Sequence, residues 1–285
     1  MPHESAPTVR ELAQRVAELR PIGAVAARTL QLTEGDQFSA HELARVIASD
    51  QVLTTKLLRL ANSAYYGFPR RISTVRDAVV LLGFREVRAT TIASSVIDAM
   101  NETTVLNRRD FWFFSVATGM LAEVLARADH INQGEAFTAG VVHQIGRLAL
   151  DQHEPELLRA IVRLATHQHI SIHEAESAVL GYTDADLGAV LAEMWNFPPP
   201  LIEAVRLHHR SLADVPDPRS LAAQVIRARE FARSYGMSNG IESTEREDPP
   251  DDWLAPAISG ALASSGGAEG IFERVSVFLE HALPA

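Results

Sequence analysis

A chain of 285 residues, 47% of them hydrophobic, can bury a sizeable core as one or two domains. Its formal charge of −10, from 26 basic and 36 acidic residues, works against nucleic acid and anionic membrane surfaces as partners. The absence of cysteine excludes a disulfide framework, a thiolate nucleophile and a zinc–cysteine site, which fits the cytosol.

The opening MPHESAPTVREL has neither a basic n-region nor an apolar h-region, and no run approaches the roughly 20 apolar residues of a bilayer span, so neither export by that route nor membrane insertion is expected. Apolar stripes spaced three and four residues apart then recur almost from end to end, and strand alternation is nearly absent, which predicts an all-α chain. Thr8 with Glu11, Ser39 with Glu42 and Ser171 with Glu174 read as capping boxes, each starting a helix. Asp50 is placed to cap the helix carrying Leu53, Leu57, Leu58 and Leu60, which runs toward the breakers Gly67 and Pro69. Gly83 interrupts the apolar run of 75–82, and the next helix carries Val87, Ile92, Val96 and Ile97. Residues 8–100 thus make about five or six helices with short links.

The polar stretch NETTVLNRRD at 101–110 reads as an internal joint, followed by helices near 111–128, 135–151, 155–168, 172–180, 184–195 and 200–210. Pro198, Pro199 and Pro200 force an extended entry to the last of these. The stretch 236–252, rich in Gly, Ser, Pro and acid, reads as a mobile linker. Beyond it, amphipathic segments at 253–263 and 270–282 are expected to pack back on the bundle, the second through Ile271, Val275, Phe278 and Leu279.

Two separated blocks carry a family likeness. ELARVIASDQVLTTKLLRLANSAYYG at 42–67 with ISTVRDAVVLLGF at 72–84, and then FWFFSVATGMLAEVLA at 111–126, AFTAGVVHQIGRLAL at 136–150 and LGAVLAEMWNFPPPLIEAVRLHH at 187–209, resemble HDOD domains, the HD-related output domains of bacterial signalling proteins. The likeness covers roughly residues 19–212, departing from the family at Gln51, where a proline is usual, and at Ile22-Gly23. It implies two packed helical subdomains, 19–100 and an HD-like bundle at 111–212, flanked by an N-terminal helical extension at 1–18 and a C-terminal one at 213–285.

In the related HD phosphohydrolases an early His, a His-Asp pair and a later Asp hold a divalent cation that activates water. By that resemblance Phe114 stands where the early His belongs, and Gln144 replaces the aspartate after His143. Phe114 falls in a stripe with Thr118, Leu121 and Leu125 and reads as core. His143, on an apolar background, reads as a hydrogen-bonded core residue, with vestigial ligand contact as the alternative. Gln144 is expected to bond the imidazole or nearby backbone, and Arg147, four residues on and on the same helical face, to join a salt bridge or bind an anion. Asp184, where many relatives carry a histidine, reads as a helix cap or a charge on the helix dipole. His208 and His209 are metal-like, yet adjacent helical residues point about 100° apart, so only one is expected to face a cavity. Arg210-Ser211-Leu212 follows them and no GYP signature occurs, which removes the best sequence support for a cyclic-dinucleotide phosphodiesterase. His167, His169 and His173 straddle a helix end without organised carboxylates and are not expected to hold a metal. Asn62, Ser63, Tyr65, Tyr66 and Gly67 read as a helix-end anchor, with a partner groove as the alternative.

These readings lead to a non-catalytic signalling module with no cofactor, acting on protein partners and implied by the resemblance to belong to cyclic-dinucleotide or two-component pathways. One alternative is a metal-dependent phosphohydrolase using His143, Asp184, His208 or Asp110. The other is a nucleotide sensor in the relict pocket, with Arg147 on phosphate.

Overall fold

The computed structural model describes residues 7–19, 28–29, 40–62, 71–100, 102–242 and 244–282, and among them every regular element is helical. The all-α expectation is met. The first half contains α1 (Val9–Leu19), α2 (Ala40–Ala48), α3 (Gln51–Ala61), α4 (Val75–Leu82) and α5 (Phe84–Ala99). The second contains α6 (Arg108–Ala128), α7 (Gln133–Val142), α8 (Ile145–His153), α9 (Pro155–Gln168), α10 (Ile172–Leu180), α11 (Asp184–Met194), α12 (Pro199–Leu207), α13 (Leu221–Ser234), α14 (Pro256–Ser264) and α15 (Gly267–Ala282).

Side-chain chemistry starts and stops these helices. Asp50 accepts from the backbone N–H groups of Val52 and Leu53, and Thr74 caps α4 through the Asp77 N–H. The Thr8–Glu11 and Ser171–Glu174 boxes form as read, whereas Ser39 lies outside the described residues. Gly83, at φ +93°, ends α4 and lets α5 restart at once. Asn62 closes α3 by donating to Leu58 O and Ile72 O while its own oxygen accepts from Ile72 N–H, each at 2.7 Å.

Two cores result. Leu43, Ile47, Leu53, Leu57, Val75 and Val79 fill the smaller one between α2, α3 and α4. α5 is the shared wall, with Val87 in the small core and Ile92, Val96 and Ile97 in the large one. The large core is built around α6, whose Trp112, Phe114, Leu121 and Leu125 are buried. Full burial of such side chains stabilises by roughly 1.5 to 3 kcal/mol each. α6 is long and apolar enough to cross a membrane, contrary to the sequence expectation that no run approaches a span, but 78% of its apolar window is buried inside the fold. α1 joins this core through Leu12, Ala13 and Val16 and packs on α11.

Three segments differ from expectation. The helix read at 135–151 is two helices, α7 and α8, turning at His143-Gln144. The break accommodates a close crossing: a Cβ on Gly146 would lie 1.9 Å from Asp184 O, and one on Gly140 2.5 Å from Gly119 Cα. α6 starts at Arg108 rather than Phe111 because Asn107 caps it. The joint before it is held by buried Asp151, which accepts from the N–H groups of Thr104, Val105 and Leu106 at 2.7, 2.6 and 3.4 Å.

The stretch 236–252, read as a linker, is fastened to the bundle. Gly240 O accepts from Asn107 N–H at 2.9 Å, Ser234 O accepts from Glu247 N–H at 2.8 Å, and buried Trp253 stacks near Phe231. α14 and α15 pack on α6 as expected, with Ile271, Val275, Phe278 and Leu279 buried and Phe272 against Phe113.

Candidate functional site

The α7–α8 turn with the start of α8, the middle of α10, the start of α11 and the turn after α12 bring His143, Arg147, Glu176, Asp184, His208 and His209 together. Thr183, not Asp184, caps α11, forming a capping box with Asp186. Asp184 is therefore free to turn inward, where it is 1% exposed and makes the centre of the cluster. Its Oδ1 accepts from Arg147 Nη2 at 3.1 Å and from His209 Nε2 at 2.5 Å.

Arg147 is the second surprise. It is 1% exposed and reaches Glu176 Oε1 through Nε at 3.4 Å. Glu176 Oε2 in turn accepts from Asp184 N–H at 3.0 Å, so the carboxylates share one guanidinium and a backbone bond. Burial works against the Arg147 charge, but Asp184 and then Glu176 outweigh it and hold the guanidinium protonated. Burial likewise pushes Asp184 upward, and Arg147, then His209, overcome it, so Asp184 is held well below the usual carboxylate range. Burial, reinforced by the Asp184 charge and opposed by Arg147, raises Glu176 well above it.

Geometry assigns the histidine tautomers. His143 Nδ1 lies 2.6 Å from Gly140 O and His208 Nδ1 2.7 Å from Val205 O. A carbonyl only accepts, so each Nδ1 carries the proton and each Nε2 presents a lone pair without a hydrogen-bond partner among the described residues. His209 donates from Nε2 to Asp184, leaving Nδ1 bare. Burial lowers His143 to about 3 and His209 to about 4, and holds His208 well below its ordinary value. The three rings lie close, with centroids 5.0 Å apart for His143 and His208 and 3.9 Å for His208 and His209.

Several sequence expectations change here. Both His208 and His209 reach Asp184 from just past the end of α12 at Leu207, His209 Nε2 lying 2.5 Å from Oδ1 and His208 Nε2 3.7 Å from Oδ2. Arg147 and His143 do not share one helical face, since the chain turns between them. Buried Gln144 bonds neither imidazole nor backbone: both amide atoms lack partners. Phe114 is 1% exposed, its ring centroid 5.9 Å from that of His143, so the position is core as read. Asp110 lies in the first turn of α6, outside the cluster. His167 and His169 are exposed, whereas His173 stacks on His209 with centroids 4.8 Å apart and rings 22° from parallel. Ser63, Tyr65, Tyr66 and Gly67 lie outside the described residues.

Asp184, His208 and His209 are near enough to act as metal donors, with ligand atoms within 4.8 Å of one another. Yet His209 Nε2 is already hydrogen-bonded to Asp184, and Arg147 holds the same oxygen. What remains is one carboxylate oxygen, Asp184 Oδ2, with His208 Nε2 at 3.7 Å and His143 Nε2 nearby. Oxygen-seeking dications need more anionic donors than this. A dication at Asp184 Oδ2 would also be repelled by the Arg147 guanidinium bonded to the same carboxylate. With these bonds in place, the residues do not fit an oxygen-liganded dication.

Sequence reading missed Glu176 and Arg229. Glu176 sits on the apolar stripe of α10 with Ile172 and Ala175, an anomaly that signals a buried charge. Arg229 of α13 donates through Nη1 to His208 O at 2.9 Å, and nothing local in the sequence announces it.

The fold recurs among known structures. An HDOD domain protein of unknown function from Geobacter sulfurreducens superposes with a TM-score of 0.78 at 23% identity, covering 95% of this chain and 97% of its own. A candidate phosphohydrolase from Shewanella amazonensis SB2B superposes at 0.70 with 26% identity, covering 95% of this chain and 96% of its own. An uncharacterized protein of Treponema pallidum (strain Nichols) is 26% identical over 200 residues, which are 70% of this chain but 39% of that longer protein. The HDOD domain model matches residues 19–211, which contain both small-core and large-core helices and every member of the Arg147–Glu176–Asp184–histidine cluster. The chain belongs to the HDOD domain family.

Proposed function

We propose that this chain is a non-catalytic bacterial signalling module that uses a degenerate HD scaffold to recruit protein partners in the cytoplasm, in a cyclic-dinucleotide or two-component pathway. The observation that carries this reading is Arg147. Its guanidinium lies inside the core, bonded to both carboxylates of the cluster, and supplies internally the positive charge that a hydrolytic site takes from a metal. Phe114 and Gln144 support the reading, since neither supplies an anionic or imidazole donor. A buried ion cluster of this kind holds helices in register rather than activating water.

The test is metal analysis of untagged protein, with hydrolysis assays on cyclic dinucleotides and generic phosphoesters and affinity capture from the native cell. The expected result is no stoichiometric metal, no turnover and a specific protein partner. A second reading, metal-dependent hydrolysis, draws on the unpartnered His143 Nε2, His208 Nε2 and Asp184 Oδ2 and on the likeness to the Shewanella protein. Stoichiometric metal with turnover lost in His143→Ala would establish it and defeat the first.

A further inference from the structure

We propose that Arg229, together with His209 and His173, forms a binding site for a phosphate group at the mouth of the buried cluster. The three residues come from separate elements: His173 from α10, His209 from the turn after α12, and Arg229 from α13, which lies beyond the matched family region of 19–211. Arg229 is anchored by its bond to His208 O at 2.9 Å, while its Nε is buried without a hydrogen-bond partner. It forms no ion pair among the described residues. The His209 side chain is 9% exposed with Nδ1 unpartnered, His173 stacks on that ring, and both histidines feel the Arg229 charge. Arg147, bonded to the same Asp184 oxygen as His209, also has one terminal nitrogen, Nη1, without a partner.

Charge and shape both select the ligand. Arg147 already balances Asp184, so Arg229 brings an unmatched positive charge to a half-buried place. Burial, and then the neighbouring Arg233 and Arg147, push its guanidinium down to about 10, a repulsion that an anion would relieve. Arg229 as a donor and His209 Nδ1 as an acceptor, arriving from separate elements, suit a tetrahedral oxyanion that carries a hydroxyl better than a planar carboxylate, which one Arg fork satisfies alone and which offers no donor. His209 Nδ1 presents a lone pair and so requires a donor, which the P–OH of hydrogen phosphate supplies and sulfate at neutral pH does not. The phosphate contact expected of Arg147 thus passes largely to Arg229, because Arg147 is engaged by Glu176 and Asp184.

This site goes beyond the recruitment of a protein partner and stands or falls independently of it. Isothermal titration of the full chain with inorganic phosphate, at constant ionic strength and pH 7.5, is expected to show one saturable site. Sulfate should bind several-fold more weakly. Arg229→Gln should weaken phosphate at least ten-fold, whereas Arg206→Gln, which removes only the surface pair with Glu193, should leave it unchanged. Absence of saturable heat, or equal affinity in Arg229→Gln, overturns the proposal. If Arg229→Gln fails to fold, the wild-type chain decides by NMR: the ring signals of His209 and His173 must shift on phosphate addition, and unmoved signals overturn the site.

Discussion

The two halves of this molecule are stabilised differently. The small core between α2, α3 and α4 is wholly apolar, and no ionisable side chain among the described residues 40–100 is buried. The large core encloses Arg147, Asp151, Glu176 and Asp184 with His143 and His208, all under 2% exposed. A core of the first kind is set by area and volume. One of the second kind depends on each charge finding its partner, since an unpaired buried charge costs far more than a matched pair contributes. The contrast shows that a large core need not be an apolar plug: here it encloses a self-neutralised polar cluster.

The sharpest way to break the comparison is Arg147→Ala, which strands the buried Asp184 carboxylate and removes the guanidinium bonded to Glu176. It should destabilise by roughly 3 to 5 kcal/mol in urea unfolding. Joint replacement of Arg147 by Met and of Glu176 and Asp184 by Leu should recover most of that loss. If Arg147→Ala costs less than about 1 kcal/mol, the cluster is not an ion network. In the small core, Leu57→Ala should cost about 3 kcal/mol through lost transfer energy and the cavity left behind, with no change in its dependence on pH.

Acid should separate the halves. His143 and His209 have folded values of about 3 and about 4, below the ordinary 6.5, so the unfolded chain binds protons first as pH falls. Their contribution is complete above about 6.5 and is lost on the way down to the folded values, each by up to about 2 kcal/mol between pH 7 and pH 5. Asp184, depressed in the fold, adds a loss of the same sign at lower pH; Glu176, raised in the fold, opposes it. Hydrogen exchange at pH 7 and pH 5 should show amides of α6 to α12 losing protection while those of α2 to α4 hold theirs. Equal loss in both halves would contradict the assignment. The smallest effect is expected at Val80, 70% exposed on α4, where Val80→Ser should change stability by less than about 0.5 kcal/mol.

Much of the fold was legible locally. Asp50, Thr8 and Ser171 announce helix starts because a cap is a contact between residues two or three apart. Phe114 was legible as core because its stripe repeats along a single helix. Gln144 and Asp184 misled, since helical periodicity assumes a continuous helix and a lone Asp at a helix start ordinarily caps it. Neither assumption survives the turn at His143-Gln144 or the presence of Thr183 as the true cap.

By itself the sequence determined the helical class, the boundaries set by caps and glycines, the likeness to HDOD domains and the loss of an anionic donor at Gln144, because these depend on residue type and near-neighbour spacing. Only the tertiary structure decided that Arg147, Glu176 and Asp184 come together, that His208 and His209 both face Asp184, and that Arg229 bonds the His208 carbonyl. The partners lie 8 to 37 residues apart within the ion cluster, and their meeting depends on helices crossing so closely that Gly146 leaves no room for a Cβ against Asp184 O.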